Sequence, residues 1–205
     1  MSASVDELLL AYARLGLQHW ANESLRVKAR ARAIRVDIAT QRAAAENAVT
    51  NPFRPLSSNG NSMRLIPMPC EQNRVYAAFF APWISGTGPA GLSFDLVVLS
   101  QQGPPLAFRF EPGSQYSVTP HGYDHVQLNE SLGHQQVPLG GGMTPLPTTY
   151  PAFPIPSKDP VTRFLAMAVA MHGYPSGVDK VLQAAFQGKA NRRRTYMEIT
   201  KKILE

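Results

Sequence analysis

A proline- and glycine-rich segment divides this chain into parts of different character. Residues 135–160 contain seven prolines and three consecutive glycines. Because proline fixes φ and removes a backbone donor, we expect no regular helix or strand in this segment. Its apolar side chains, Tyr150 and Phe153 among them, are too numerous for a solvated linker. The segment is therefore predicted to be an ordered, extended strap laid over the rest of the protein.

Residues 63–128 have the pattern of antiparallel strands. Short β-branched and aromatic runs alternate with Pro, Gly and Asn clusters. The runs are MRLIPM, RVYAAFFAPWI, LSFDLVVL, LAFRFE and DHVQL. Ser93 and Asp95 alternate with apolar residues in the third run, and Arg109 lies between two phenylalanines in the fourth. This pattern predicts a sheet of about five strands with one face in water.

The first fifty residues have a helical pattern that ends before Pro52. Gly16 is the weak point of this pattern and predicts two helices, at about 5–15 and 18–48. The part from 25 to 38 carries two narrow apolar stripes with basic residues between them. Such a helix usually lies between two neighbours or packs in a dimer. Residues 25–38 are therefore the predicted surface for a homo-oligomer, a hetero-complex or a scaffold.

The last part of the chain, from residue 160 to residue 205, predicts three helices. Its first helix should end at Gly173, because glycine favours helix C-termini. Four helix N-termini are predicted from capping signals. These signals are Ser4 with Glu7, Asp159 with Pro160, Ser176 with Asp179, and Asn191.

Together these patterns predict the α+β class. The architecture comprises long N-terminal helices, an antiparallel sheet of about five strands, a Pro-rich strap and a C-terminal three-helix segment. The predicted segments are 1–50, 51–134, 135–159 and 160–205. A chain of 205 residues is of a size that forms one compact domain.

The net charge of +6 is concentrated near the end of the chain. Residues 157–205 carry nine bases against four acids, whereas residues 51–156 carry four against five. Such asymmetry favours a polyanionic partner. Arg192, Arg193 and Arg194 also follow one another in the first turn of the last predicted helix. Cations at that position oppose the helix dipole, so that a function is a better explanation for them than helix stability.

The first functional hypothesis is a basic, non-enzymatic accessory protein or complex subunit that contacts nucleic acid or a nucleoprotein assembly. Helix N-termini and guanidinium groups both bind phosphates. The last two predicted helices also have about the lengths of a helix-turn-helix. An acidic protein partner and a basic face that is merely solvated are the alternatives for the same surface. The predicted contacts are Lys189, Arg192, Arg193, Arg194 and Lys201, with Arg30, Arg32 and Arg35.

The stretch TPHGYDHVQLNESLGH, residues 119–134, holds three of the five histidines. On a strand, His121 and His125 would lie about 13 Å apart, too far to bind one ion. We therefore predict no metal and no cofactor, and turn chemistry is one interpretation of the stretch. The alternative is a metal-independent ribonuclease or phosphodiesterase in which a histidine is the general base. Its site would comprise His121, Asp124, His125 and Arg109, with Asp124 or Glu130 orienting the base.

The sequence also predicts a compartment. Cys70 is the single cysteine, so that no intramolecular disulfide framework can form. The opening residues carry acid where a signal peptide carries base. No apolar run reaches the ~18–20 residues that a membrane span requires. We expect a soluble, cytoplasmic protein without membrane contact.

Overall fold

A computed structural model describes residues 3–23, 28, 66–69, 77–84, 92–99, 106–113, 123–128, 131–132, 137–138 and 153–205. The predicted α+β class is confirmed. The four described helices are α1 (Val5–Ala21), α2 (Pro160–His172), α3 (Ser176–Ala185) and α4 (Ala190–Leu204). The strands are β1 (Ile66–Met68), β2 (Ala77–Ile84), β3 (Leu92–Leu99), β4 (Leu106–Glu111), β5 (His125–Leu128), β6 (Ser131–Leu132), β7 (Val137–Pro138) and β8 (Phe153–Pro154).

The main sheet has six antiparallel strands in the order β1-β2-β3-β4-β5-β8. The five predicted runs form β1 to β5, and each pairs with its neighbour in sequence. The register places Asp95 opposite Arg109 and Glu111 opposite His125. This register brings the polar side chains of three consecutive strands onto one face of the sheet.

The Pro-rich strap contains short strands, so that the expectation of no regular element there was wrong. Strand β7 pairs with β6, and β8 pairs with β5 at the edge of the main sheet. An edge strand tolerates proline because its missing N–H need not bond to a further strand. The strap therefore joins the sheet directly, at Phe153 and Pro154. Tyr150 lies outside the described residues.

One hydrophobic core joins α1, one face of the main sheet and the three C-terminal helices. Phe164 of α2 is fully buried at its centre. The Phe164 ring lies 4.9 Å from the ring centroid of Tyr12, 5.5 Å from that of Phe80 and 5.2 Å from that of Phe94. All three contacts are edge-to-face, the favoured geometry for aromatic pairs. The division of the chain into the segments 1–50, 51–134, 135–159 and 160–205 stays a prediction.

The alternation of polar and apolar residues in β3 had predicted that the second face of the sheet lies in water. Along β3 this prediction was wrong. Ser93 and Asp95 are fully buried on that face, as is Phe79 of the neighbouring strand. Trp20, near the end of α1, packs edge-to-face on Phe79 at 5.3 Å. Asp95 is paired with Arg109, which compensates for the loss of hydration. The alternating polar residues of β3, Ser93 and Asp95, are therefore buried rather than exposed to solvent.

Helix α1 continues through Gly16, so that the predicted break at this residue was wrong. The helix packs against β1, and the carbonyl of Pro67 lies where a side chain at position 16 would begin. Glycine is present because two backbones approach closely, not because the helix ends. Most of the predicted helix at 18–48, including the 25–38 surface except Lys28, lies outside the described residues.

The predicted cap of α2 is confirmed. The Asp159 carboxylate accepts a hydrogen bond from the backbone N–H of Thr162 at 2.9 Å. The Thr162 hydroxyl in turn accepts from the backbone N–H of Asp159 at 3.1 Å. This reciprocal pair satisfies two donors at the start of the helix. Gly173 ends α2 with a positive φ of 78°, as its position predicted.

None of the other three predicted side-chain caps forms, although Ser4 does occupy the N-cap position of α1, as predicted. Ser4 precedes α1, but its side chain makes no capping hydrogen bond. The N-cap positions of α3 and α4 are occupied by Pro175 and Lys189, again without a side-chain cap. The acids that had been assigned to capping, Glu7 and Asp179, instead bind arginines of α4. Tertiary ion pairs have replaced the local bonds that the sequence suggested.

Candidate functional site

The first turn of α4 and the residue before it form the most basic cluster of the described residues. We call Lys189 to Arg194 the arginine turn. Its helix begins without a side-chain cap and has no acid in the first turn. The N–H groups of such a turn carry the positive end of the helix dipole. The arginine turn thus adds side-chain cations to a backbone that is already electropositive.

Two of the three arginines are held in place by acids from other helices. The Nε of Arg192 lies 3.2 Å from a carboxylate oxygen of Glu7 in α1. Arg193 donates from Nε to Asp179 of α3 at 2.8 Å, and its Nη2 donates to the second oxygen of the same carboxylate. This two-point contact is the strongest geometry for an arginine–carboxylate pair.

This contact changes the pKa of Asp179. The hydrogen bonds from Arg193, assisted by its charge, hold the pKa of Asp179 below its ordinary value despite slight burial. The pair is therefore ionised at neutral pH. It fixes the first turn of α4 against α3, where Phe186 also stacks on Tyr196 with ring centroids 5.1 Å apart.

Arg194 is the exposed one of the three arginines. Beside the cluster lies a cleft of about 680 Å³. Its lining includes Glu7, Gly188, Lys189, Asn191, Arg192 and Thr195. The ammonium of Lys189 is exposed and lies 4.0 Å from Glu7. The arginine turn therefore carries four cations, and the two carboxylates that contact it, Glu7 and Asp179, leave an excess of two positive charges at an uncapped helix start.

The remaining predicted contacts are more scattered. Lys201 is exposed and pairs with Glu205 one turn later, 3.3 Å away. Such exposed pairs within a helix contribute little energy and exchange readily for another anion. Arg30, Arg32 and Arg35 lie outside the described residues. The structure therefore brings together the contacts at 189–194 and places Lys201 two turns further along α4.

A second polar cluster lies on the face of the main sheet opposite the hydrophobic core. Arg109 donates from Nε to Asp95 at 3.0 Å. Beside this pair, Glu111 binds His125 at 3.1 Å and Gln127 at 3.0 Å through the same carboxylate oxygen. Arg109 and His125 therefore share one face, as the enzymatic hypothesis required. His121 and Glu130 lie outside the described residues.

The bonds of His125 favour a structural cation over a general base. Its Nε2 contacts Glu111, and its Nδ1 lies 3.2 Å from the carbonyl oxygen of Tyr123. Both partners are acceptors, so that the two contacts favour the ring with both nitrogens protonated, and in that form neither nitrogen keeps a lone pair with which to accept a proton. Arg109 is likewise bound to Asp95. The enzymatic hypothesis stays a prediction, because the described contacts of His125 and Arg109 do not favour a general base beside a phosphate-binding arginine.

Asp124 turns away from this cluster and forms a third one. Arg163 of α2 donates to Asp124 Oδ2 from Nε at 3.1 Å and from Nη2 at 2.8 Å. The Ser157 hydroxyl donates to the same oxygen at 2.6 Å, and the Gly113 N–H donates to Oδ1 at 3.2 Å. Arg163 also donates to the carbonyl of Leu92. Asp124 therefore ties α2 and the strap to the sheet, and the group that orients His125 is Glu111.

Several of these partners were missed from the sequence. Glu111 and Asp95 were not selected because strand register, which the sequence does not give, decides the pairs across a sheet. Arg163 had a usable signal: it is a cation in a helix whose other residues are mostly apolar. Such a charge requires an anionic partner from elsewhere in the fold.

The charge state of His125 leads to a pH prediction. Burial of the ring lowers its pKa, but hydrogen bonds to Glu111 and to the Tyr123 carbonyl, with the charges of Glu111 and Asp124, raise it above 6.5 overall. A raised folded pKa stabilises the protein fully below the unfolded value, and this contribution is lost as pH rises through the folded value.

We therefore expect the free energy of unfolding to fall as pH rises above about 6.5, and to fall less steeply in His125→Gln. Urea unfolding at several pH values measures this difference, and a proton NMR titration of the ring measures the pKa directly. Glu111→Gln should lower that pKa. Equal pH dependence of wild type and His125→Gln would contradict the assignment.

Comparisons of the chain with protein-family models, with curated proteins and with solved structures give no match. Within the described ranges, no three His, Cys, Asp or Glu side chains are grouped so that they could hold a metal ion. Among the helices that the structure describes, none has the length and apolar character to cross a membrane. The functional argument therefore depends on the clusters themselves.

Proposed function

We propose that this protein is a non-enzymatic accessory protein or complex subunit that binds nucleic acid through the arginine turn. The observation that carries this proposal is the anchoring of Arg192 and Arg193 by Glu7 and Asp179. Two acids from two other helices hold Arg192 and Arg193 at an uncapped helix start, beside the exposed Lys189 and Arg194. The excess positive charge faces solvent and a cleft rather than being neutralised.

The chemistry of the cluster suits phosphate. Backbone N–H groups at a helix start bind phosphate oxygens, and guanidinium groups bind them through two parallel hydrogen bonds. Arg194 and Lys189 are exposed and can reach a polymer passing over the turn. Asn191, also exposed, offers an amide that can contact a base or a sugar.

Other contacts extend the proposed surface along the chain. Lys201 lies further along α4, and Arg30, Arg32 and Arg35 are proposed on sequence grounds alone. A cytoplasmic location is part of the proposal and is supported by the single cysteine in 205 residues. The alternative is a scaffold that assembles through residues 25–38. Of these residues, the structure describes only Lys28.

The test is the salt dependence of binding. We expect labelled single-stranded RNA, single-stranded DNA or duplex DNA to bind in fluorescence anisotropy, and binding to weaken as salt rises. Arg194→Ala should reduce both the affinity and the log–log salt slope, by about 0.9 for each duplex phosphate that the variant no longer neutralises. Lys202→Ala removes one charge near the other end of α4 and serves as the matched control.

Two outcomes would contradict the proposal. One is the absence of salt-dependent binding to all three nucleic acids. The other is an equal slope for wild type, Arg194→Ala and Lys202→Ala, because binding would then not involve the arginine turn. The same samples, run on a gel with and without a chelator, test the enzymatic alternative, which requires cleavage of the strand.

A further inference from the structure

A second cleft lies at the other end of α4 from the arginine turn, where the termini of three helices meet. We call it the helix-end groove. The start of α1, the start of α2 and the last turn of α4 border it, and its volume is about 670 Å³. This volume is within the range of roughly 300–1,000 Å³ that is usual for ligand sites. Its apolar walls are formed by Ala3, Val5, Pro156, Val161, Ile199 and Ile203.

The polar groups of the helix-end groove are of two kinds. Asp159 and Thr162 already bind each other in the cap of α2. Lys158 and Lys202 are exposed, and within the described part of the chain neither ammonium pairs with a carboxylate. The groove therefore combines aliphatic walls with two available positive charges at its rim.

We propose that the helix-end groove binds an acidic amphipathic peptide segment of a partner protein. Apolar side chains of the segment would fill the aliphatic walls, and flanking carboxylates would pair with Lys158 and Lys202. Two ammonium groups placed on separate elements, one before α2 and one on α4, fit two separate acids of one segment.

The walls favour a peptide over nucleic acid. Proteins that bind single strands usually stack bases on aromatic rings. The described lining of the groove contains aliphatic side chains and no aromatic ring. Burial of aliphatic side chains is instead the usual source of affinity for an amphipathic peptide. The groove and the arginine turn are thus suited to different partners, at opposite ends of α4.

A peptide array and fluorescence anisotropy test this proposal on the full chain. The probes are labelled nine-residue peptides in which Glu or Asp alternates with Leu, Ile, Val or Phe, and matched peptides with Lys in place of the acids. We expect acidic peptides to bind more tightly than basic ones, and their binding to weaken with salt. The Lys158→Glu, Lys202→Glu double variant should lose at least about tenfold in affinity for the acidic peptides and gain affinity for the basic ones.

Controls separate this proposal from the nucleic-acid one. Arg194→Glu changes charge on the same helix outside the groove and should leave peptide affinity unchanged. Circular dichroism should show that all variants fold, because the replaced lysines are exposed. No binding of acidic peptides, or equal binding by wild type and the double variant, would overturn the proposal. So would RNA that competes for the groove and loses affinity in the double variant but not in Arg194→Glu.

Discussion

Replacing Arg163 by methionine is expected to lower the free energy of unfolding by about 3–5 kcal/mol. The variant would remove a buried cation and leave Asp124, 9% exposed, without its counter-charge. Breaking one partner of a buried pair is more costly than removing both, because the remaining charge has lost its hydration and its partner. Methionine fills a similar volume, so that the loss reports on charge and hydrogen bonds rather than on a cavity.

Urea unfolding, followed by circular dichroism, measures this loss. Arg194→Ala, an exposed arginine replaced elsewhere in the C-terminal helices, should change stability by no more than about 0.5 kcal/mol. The double variant Arg163→Met, Asp124→Asn should recover part of the loss, since it removes the isolated charge. A stability of Arg163→Met close to that of Arg194→Ala would show that the pair does not hold α2 to the sheet.

Replacing Gly16 by alanine is expected to destabilise the protein by about 1–3 kcal/mol, although alanine is the better helix former. Within an isolated helix this change would gain about 1 kcal/mol. In the folded protein the new Cβ would lie 1.7 Å from the carbonyl oxygen of Pro67 and 2.6 Å from its carbon. Both are backbone atoms of β1, so that α1 and β1 must separate to admit the methyl group.

Thermal and urea unfolding again give the result. The control is Arg14→Ala, which places alanine at an exposed position of the same helix. That variant should be close to neutral, because it keeps the helix and meets no neighbouring strand. If Gly16→Ala instead proved more stable than wild type, the close approach of α1 and β1 would be contradicted, and glycine at this position would be only a helix defect.

The parts of the fold that depend on local pattern were predictable. Strands β1 to β5 follow runs of apolar and β-branched residues bounded by turn residues, and α2 follows a cap, a proline and a closing glycine. These signals act over a few residues, so that the sequence contains them directly. Strand β8 was missed because two residues on a sheet edge need only a neighbouring strand, which no local pattern announces.

The errors have a common physical cause. Glu7 and Asp179 stand at positions where acids often cap a helix, and the sequence cannot show that Arg192 and Arg193 will reach them. Asp95 alternates with apolar residues as a solvent-facing residue would, yet it is fully buried beside Arg109. In each case a charged side chain found a partner distant in sequence, and that pairing depends on the complete fold.

The candidate site was therefore located by sequence but not explained by it. The unusual run at 192–194 identified the region, because three cations oppose the helix dipole. The structure adds that two of them have structural partners and that Arg194 is exposed. The helix-end groove had no sequence signal, since its walls come from three segments that only tertiary packing brings together.

The contact between α1 and α4 has a consequence for how the chain folds. The hydroxyl of Tyr196 donates to the carbonyl oxygen of Ser4 at 2.8 Å, across 192 positions in sequence. Leu8 and Tyr12 of α1 are buried in a core shared with Phe164 and Tyr196. A ribosome makes Phe164 and Tyr196 long after α1, so that the part of the apolar face of α1 that they cover stays exposed until they are synthesised, even when β1 is already in place. Nascent chains that stop before α2 would present that part of the face to chaperones and proteases.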